Sequence, residues 1–182
     1  VDKQPNNNPT KENPVGRFMV AVGAVIELKD TGKILVNQRA SVLDWKPKEW
    51  EIVYGRIDQF ETLEEGLKRE VREEVGIKDL QILSLIRAWH TYRGSQKSAQ
   101  NELIGITYHC RTQTEKVQLS KEHSSYRWVT PKEALSLITS VGIHRDLEEY
   151  LFQNRNSEIG LSPNFEKDTY TSSRKPSRNI SK

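Results

Sequence analysis

The stretch from Leu63 to Val75, LEEGLKREVREEV, constrains this chain more than any other. Its apolar residues Leu63, Leu67, Val71 and Val75 recur every four positions, so they form one stripe along a helix. Thr62 and Glu65 have the spacing of a capping box at the helix start. Gly76 supplies the stop at the other end.

The same helix carries Glu70, Glu73 and Glu74 at i, i+3 and i+4, which brings three carboxylates onto adjoining turns. At about 100° per residue, Glu74 lies about 40° from the centre of the apolar stripe and Glu70 about 80° from it. Two acids therefore sit beside the buried edge. Like charges at this spacing oppose the helix, and partial desolvation adds to the cost. The cluster needs a counter-charge. A divalent cation such as Mg²⁺ or Mn²⁺ would provide one, since carboxylates are hard oxygen ligands, and the chemistry implied is phosphoryl or pyrophosphoryl chemistry on a metal-bound polyphosphate. The plain alternative is a solvated face whose acids pair with Lys68, Arg69 and Arg72.

Composition places this helix inside one domain with two polar ends. Residues 1–14 hold a single apolar residue, Val1, and residues 154–182 hold only Ile159, Leu161, Phe165, Tyr170 and Ile180. Residues 15–153 remain as the globular unit, enough for one core. The formal net charge of +3 sits wholly in the last 29 residues, which have six basic and three acidic side chains. A neutral core speaks against a nucleic-acid-binding domain, and the tail reads as a solvated, weakly basic appendage. The lone cysteine, Cys110, excludes an internal disulfide and any C-x-x-C motif, so a reduced, cytoplasmic setting is expected. The longest uncharged run near the start, Phe18–Ile26, is far too short to span a membrane.

Strands are expected at Phe18–Leu28, Lys33–Arg39, Glu51–Tyr54, Leu80–Tyr92, Glu102–Arg111 and Tyr126–Thr130, with helices at Pro131–Ile138 and Ile143–Phe152. Strands and helices do not alternate strictly, so a mixed α/β fold is expected rather than a doubly wound parallel sheet. Trp45 and Trp50 fall in a loop flanking the acidic helix, where they are candidates to stack on a base. Trp89 and Trp128 read as core. The four histidines lack zinc-ligand spacing.

Read from Gly55 to Ile77, the sequence GRIDQFETLEEGLKREVREEVGI resembles the signature of the Nudix hydrolases, G-x5-E-x7-R-E-U-x-E-E-x-G-U with U bulky and aliphatic. Gly55, Glu61, Arg69, Glu70, Glu73, Glu74 and Gly76 meet every fixed position, with Val71 and Ile77 at U. The odds of such a match by chance anywhere in the chain are roughly 10⁻⁶. The resemblance, in the MutT manner, covers about Val15–Gln153. It implies an α/β/α sandwich with a mixed β-sheet and a loop–helix–loop motif.

It also implies roles. Glu70, Glu73 and Glu74 would hold Mg²⁺ or Mn²⁺, with Glu70 a candidate base. Arg69 would orient a carboxylate, and Glu61 would brace the loop or join the metal through water. Glu122, six residues before Trp128, would add a metal ligand or general base, and Arg39 would contact phosphate. Tyr54 and Phe60 stand where the family often has glycine. Tyr54 still offers a carbonyl to the site, but tyrosine resists the positive φ that glycine allows, so altered geometry is expected there.

The activity implied is cleavage of a nucleoside diphosphate linked to another group, with a nucleoside triphosphate or an oxidised nucleotide as the leading substrate. An RNA 5′-end pyrophosphohydrolase and a non-catalytic nucleotide-sensing domain are the competing readings. A homodimer is common among such proteins.

Overall fold

The first apolar run of the domain is buried on both sides, and this sets the centre of the fold. In the computed structural model, which describes residues 18–43, 45–94 and 96–158, this run is strand β1 (Met19–Leu28). Val22, Ala24 and Ile26 face one core while Val25 faces a second. A strand packed on both faces has no need of polar alternation, which is why its sequence reads as continuously apolar.

The chain continues through β2 (Ile34–Arg39), β3 (Trp50–Glu51), β4 (Val53–Arg56), α1 (Leu63–Val75), β5 (Gln81–Tyr92), β6 (Glu102–Thr112), β7 (His123–Val129), α2 (Pro131–Leu137) and α3 (Val141–Glu158). The strands form one mixed sheet in the order β3-β2-β1-β6-β5, with β4 added on β1 and β7 on β2. β1 runs parallel to β6 and antiparallel to β2 and β4. Helix α1 covers one face through Leu67, Val71 and Val75, all fully buried. α2 and α3 cover the other through Ala134, Ile143, Leu147 and Tyr150. The result is the α/β/α sandwich expected.

Helix α1 has the bounds expected, and for local reasons. Thr62 accepts from the Glu65 amide while Glu65 caps the Thr62 backbone, and Gly76 closes the helix at φ 74°. Leu67 is fully buried, so Leu67→Ala would cost about 2–5 kcal/mol. The free carbonyls at the helix end are met by a following loop: Gln118 N–H donates to the Val75 carbonyl at 3.0 Å and Ser120 N–H to that of Glu74 at 2.9 Å.

Three expectations change. The strand expected at Glu51–Tyr54 divides into β3 and β4 at Ile52, because Trp50 and Glu51 pair with β2 whereas Val53–Arg56 pair with β1. The last strand begins at His123 rather than Tyr126, since His123 and Ser125 already register with Arg39 and Gln38. The closing helix runs from Val141 to Glu158, into the segment read as tail. Residues 1–17 and 159–182, which hold the N-terminal segment and the rest of the tail, lie outside the described residues. No helix among the described residues is long and apolar enough to cross a membrane.

Candidate active site

The site lies where α1 crosses β4. Gly55 faces α1, and Glu70 packs directly onto it: a Cβ at Gly55 would stand 1.8 Å from Glu70 Cδ and 2.3 Å from Oε1. The glycine here makes room for a carboxylate.

Arg69 organises the acids around it. Its Nε donates to Glu61 Oε1 at 2.7 Å and its Nη2 to Glu61 Oε2 at 2.9 Å, a bidentate fork. Nη1 donates to Glu70 at 2.8 Å and to the exposed Glu73 at 3.3 Å, and Nη2 also reaches the Arg56 carbonyl. The Asp58 amide donates to Glu61 as well. The Arg69 fork holds the Glu61 carboxyl down at about 2. Glu70 is displaced upward because burial outweighs the pull of Arg69.

Glu74 has no such partner. It is 8% exposed, and no hydrogen bond or ion pair reaches its carboxylate among the described residues. Burial, then the charges of Glu51, Glu70 and Glu122, push its pKa well up. A carboxylate in that state either keeps its proton or takes a cation. No three His, Cys, Asp or Glu side chains among the described residues form a preassembled metal cluster. Arg69 explains this, since it occupies Glu61, Glu70 and Glu73 at once. The donor set itself fits a hard divalent ion: carboxylates only, one of them buried and outweighed by like charges, with Arg39 alone acting against them.

Glu122 is exposed, yet its charge acts on both Glu70 and Glu74. Sequence spacing pointed to it, and the fold brings it to the same place. Arg39 is committed within the protein. Its Nε donates to the Trp45 carbonyl at 2.9 Å and its Nη1 to Glu51 at 3.0 Å. Glu51, His123 and Asn37 were not expected at this site. Glu51 Oε1 accepts from both Arg39 and His123 Nε2, the latter at 3.1 Å. Asn37, in register with Glu51, is fully buried, and neither its amide nor His123 Nδ1 finds a partner. One signal was available: Glu51 is a charged residue inside an otherwise apolar strand.

The remaining candidates are placed elsewhere. Tyr54 is extended in β4 and takes no positive φ; the strained backbone is at Phe60, with φ 74° and its side chain 97% exposed. The Tyr54 ring points away from α1, where its hydroxyl bonds to Thr107 and Asp146 and its edge meets Trp89. Trp50 lies in β3 rather than a loop and packs on the α3-side core beneath Arg127. Trp45 stays in the loop, half-exposed, with Arg93 over its ring at 5.7 Å. Trp128 is partly buried against the α1-side core, whereas Trp89, read as core, is only partly buried and lies over Gly105 beside Tyr54.

An acidic helix laid across a mixed sheet, with helices on the far face, is the architecture of a Nudix-type pyrophosphohydrolase. A family model of the NUDIX domain matches residues 17–151, and the chain belongs to that family. The nucleoside triphosphatase NudI of Escherichia coli O17:K52:H18 (strain UMN026 / ExPEC) is 26% identical over 128 residues, 66% of this chain and 89% of that protein. A MutT protein from Methanosarcina mazei Go1 superposes with a TM-score of 0.62 at 25% identity, covering 78% of this chain and 96% of its own. A NUDIX hydrolase from Nitrosomonas europaea reaches a TM-score of 0.64 at 19% identity, over 79% of this chain and 75% of its own.

Proposed function

We propose that this enzyme is a Mg²⁺- or Mn²⁺-dependent pyrophosphohydrolase of nucleoside triphosphates or their oxidised forms, working in the reducing cytoplasm. The observation that carries this is Glu74, a buried carboxylate with no hydrogen bond or ion pair among the described residues, on which the charges of Glu51, Glu70 and Glu122 act. The name of its relative from Escherichia coli, a nucleoside triphosphatase, supports the triphosphate class.

Glu70, Glu73 and Glu74 would hold the ion, with Glu122 and Glu61 completing its surroundings. Such an ion, when bound, neutralises polyphosphate charge and acidifies a water. Arg69 keeps Glu61 and Glu70 in fixed orientations, so little reorganisation is needed when the substrate arrives. Glu70, whose burial favours the protonated form, accepts the proton of the attacking water, and Glu122 is the alternative base. The Arg39 guanidinium would meet a phosphate oxygen, and Trp45 would offer a ring to the base.

The test is product release from a nucleotide panel with Mg²⁺: dNTPs, 8-oxo-dGTP, ADP-ribose, a diadenosine polyphosphate, a nucleotide sugar and a triphosphorylated RNA. Nucleoside monophosphate and pyrophosphate formed from a triphosphate, and absent with Glu73→Gln, is the expected result. Turnover confined to another class would move the substrate assignment, and silence across the panel would favour a sensing domain.

A further inference from the structure

The turn that carries Glu122 is held from beneath by a side chain with no other duty. His123 is buried at the start of β7, opposite Arg39 at a register shift in the β2–β7 ladder. Its Nε2 lies 3.1 Å from Glu51 Oε1. A carboxylate can only accept, so Nε2 carries the hydrogen of this bond. The same Glu51 oxygen takes Arg39 Nη1 at 3.0 Å, and Arg39 Nε in turn fixes the Trp45 carbonyl.

The Glu122 backbone is tied on both sides of this point. Ala40 N–H donates to the Glu122 carbonyl at 2.7 Å, and two residues earlier Ser120 N–H donates to the carbonyl of Glu74. The turn therefore bridges the end of β2 and the end of α1. His123 opens the strand that follows this turn, and its bond to Glu51 holds it on the face of the sheet that α1 covers, where the charges of Glu51 and Glu122 both act on Glu74. Glu122 stands in the turn itself, so the anchoring of its neighbour limits where its carboxylate can lie.

Stability does not account for this arrangement. Both amide atoms of Asn37 and Nδ1 of His123 are buried without partners, which destabilises the fold. An apolar end to β2 and β7 would pack at lower cost. A polar layer that weakens the sheet beside Glu51, whose charge acts on Glu74, points to the site.

We propose that His123 is a positioning residue: its bond to Glu51 fixes the turn bearing Glu122 and so sets where that carboxylate meets Glu70 and Glu74. This rests on the pyrophosphohydrolase reading above, in which Glu122 takes part in the reaction. Displacement of a reacting group by 1 Å costs about 10²-fold in rate.

The experiment uses the full chain, with kcat and KM for a nucleoside triphosphate and amide hydrogen exchange of residues 120–124. His123→Leu removes the bond, whereas His123→Gln keeps an N–H donor at similar reach and serves as the rescue. His123→Leu is expected to lower kcat by about 10- to 100-fold with KM little changed. It should also speed exchange in the turn. His123→Gln should recover most of the rate. In a Glu122→Gln background, His123→Leu should bring no further loss, since the two act as one unit. Multiplying losses in that background, or unchanged exchange in His123→Leu, would overturn the proposal. Faster exchange with full turnover would overturn it too, as the pin would then be structural. A parent chain that hydrolyses nothing, with faster exchange in His123→Leu, would sink the reaction while leaving the pin standing. If His123→Leu fails to fold, His123→Asn, whose amide is too short to reach Glu51, takes its place: faster exchange and a lower kcat than in His123→Gln are expected, and parent-like exchange or rate would overturn the proposal.

Discussion

Arg69 grips Glu61 with both arms of its guanidinium, Nε to Oε1 at 2.7 Å and Nη2 to Oε2 at 2.9 Å. The two residues belong to the helix and to the loop before it, so this fork locks the loop to the helix. It also explains why an arginine stands in the midst of four acids: Asp58, Glu61, Glu70 and Glu73 are its partners.

Lysine cannot replace that fork, because its ammonium is a single point charge without the planar pair of donors. Arg69→Lys is expected to lower unfolding free energy by about 1–3 kcal/mol in urea titration. Turnover should fall further than the loss of stability alone accounts for, since Glu70 loses its orientation.

Gly55→Ala separates geometry from stability. The backbone at Gly55 has no positive φ, so alanine is tolerated there. Its Cβ would overlap Glu70, whose side chain must swing out. The urea midpoint should move little, while kcat falls on the order of 10²-fold or more.

Glu74 makes the metal-free protein sensitive to pH. Its folded pKa is raised by burial and by Glu51, so between the ordinary glutamate value and that raised value the folded state binds the extra proton. Stability without metal should therefore fall as pH rises from about 4.5 through the folded pKa. Glu74→Gln should remove that slope and raise stability at pH 8 by on the order of 1–3 kcal/mol. Thermal melts across pH in the presence of a chelator test this, and a parent chain whose Tm stays flat over the range would contradict it.

Phe60 holds a left-handed backbone with almost no side-chain contact to offset it. Phe60→Gly relieves a strain of about 1–2 kcal/mol, against an entropic loss of about 0.5–1 kcal/mol. A net rise in Tm of a few degrees is expected in calorimetry.

Tyr54→Phe removes a buried hydroxyl shared by Thr107 and Asp146 on the face away from α1. Asp146 keeps Arg87 as a partner. A loss of about 1–3 kcal/mol in stability is expected, with KM for nucleotide unchanged. A raised KM would restore Tyr54 to the substrate site.

Much of this protein was determined by local sequence. Helix α1, its two caps and its three glutamates were legible because their causes lie within a few residues: a period of four, a capping box and a glycine stop. β1 and β2 were legible for the same reason, as short-range patterns of apolar and β-branched residues. The Gly55–Ile77 signature carried the metal-site candidates together for the same cause, since a helix places i, i+3 and i+4 side by side without help from the rest of the chain.

Tertiary structure alone decided what depends on register between distant strands. Glu51, His123 and Arg39 meet only because β2 pairs with β3 on one side and β7 on the other, at separations that no local pattern encodes. The side of the sheet that Tyr54 and Trp50 face was set by which strand each half of residues 50–56 joins. A residue's neighbours in sequence fix its conformation, but strand alternation turns a one-residue difference in pairing into opposite faces of the sheet. The burial that raises the Glu74 pKa likewise arises from the packing of α1 and the Glu122 turn, which gathers the acids of one helix into a candidate site.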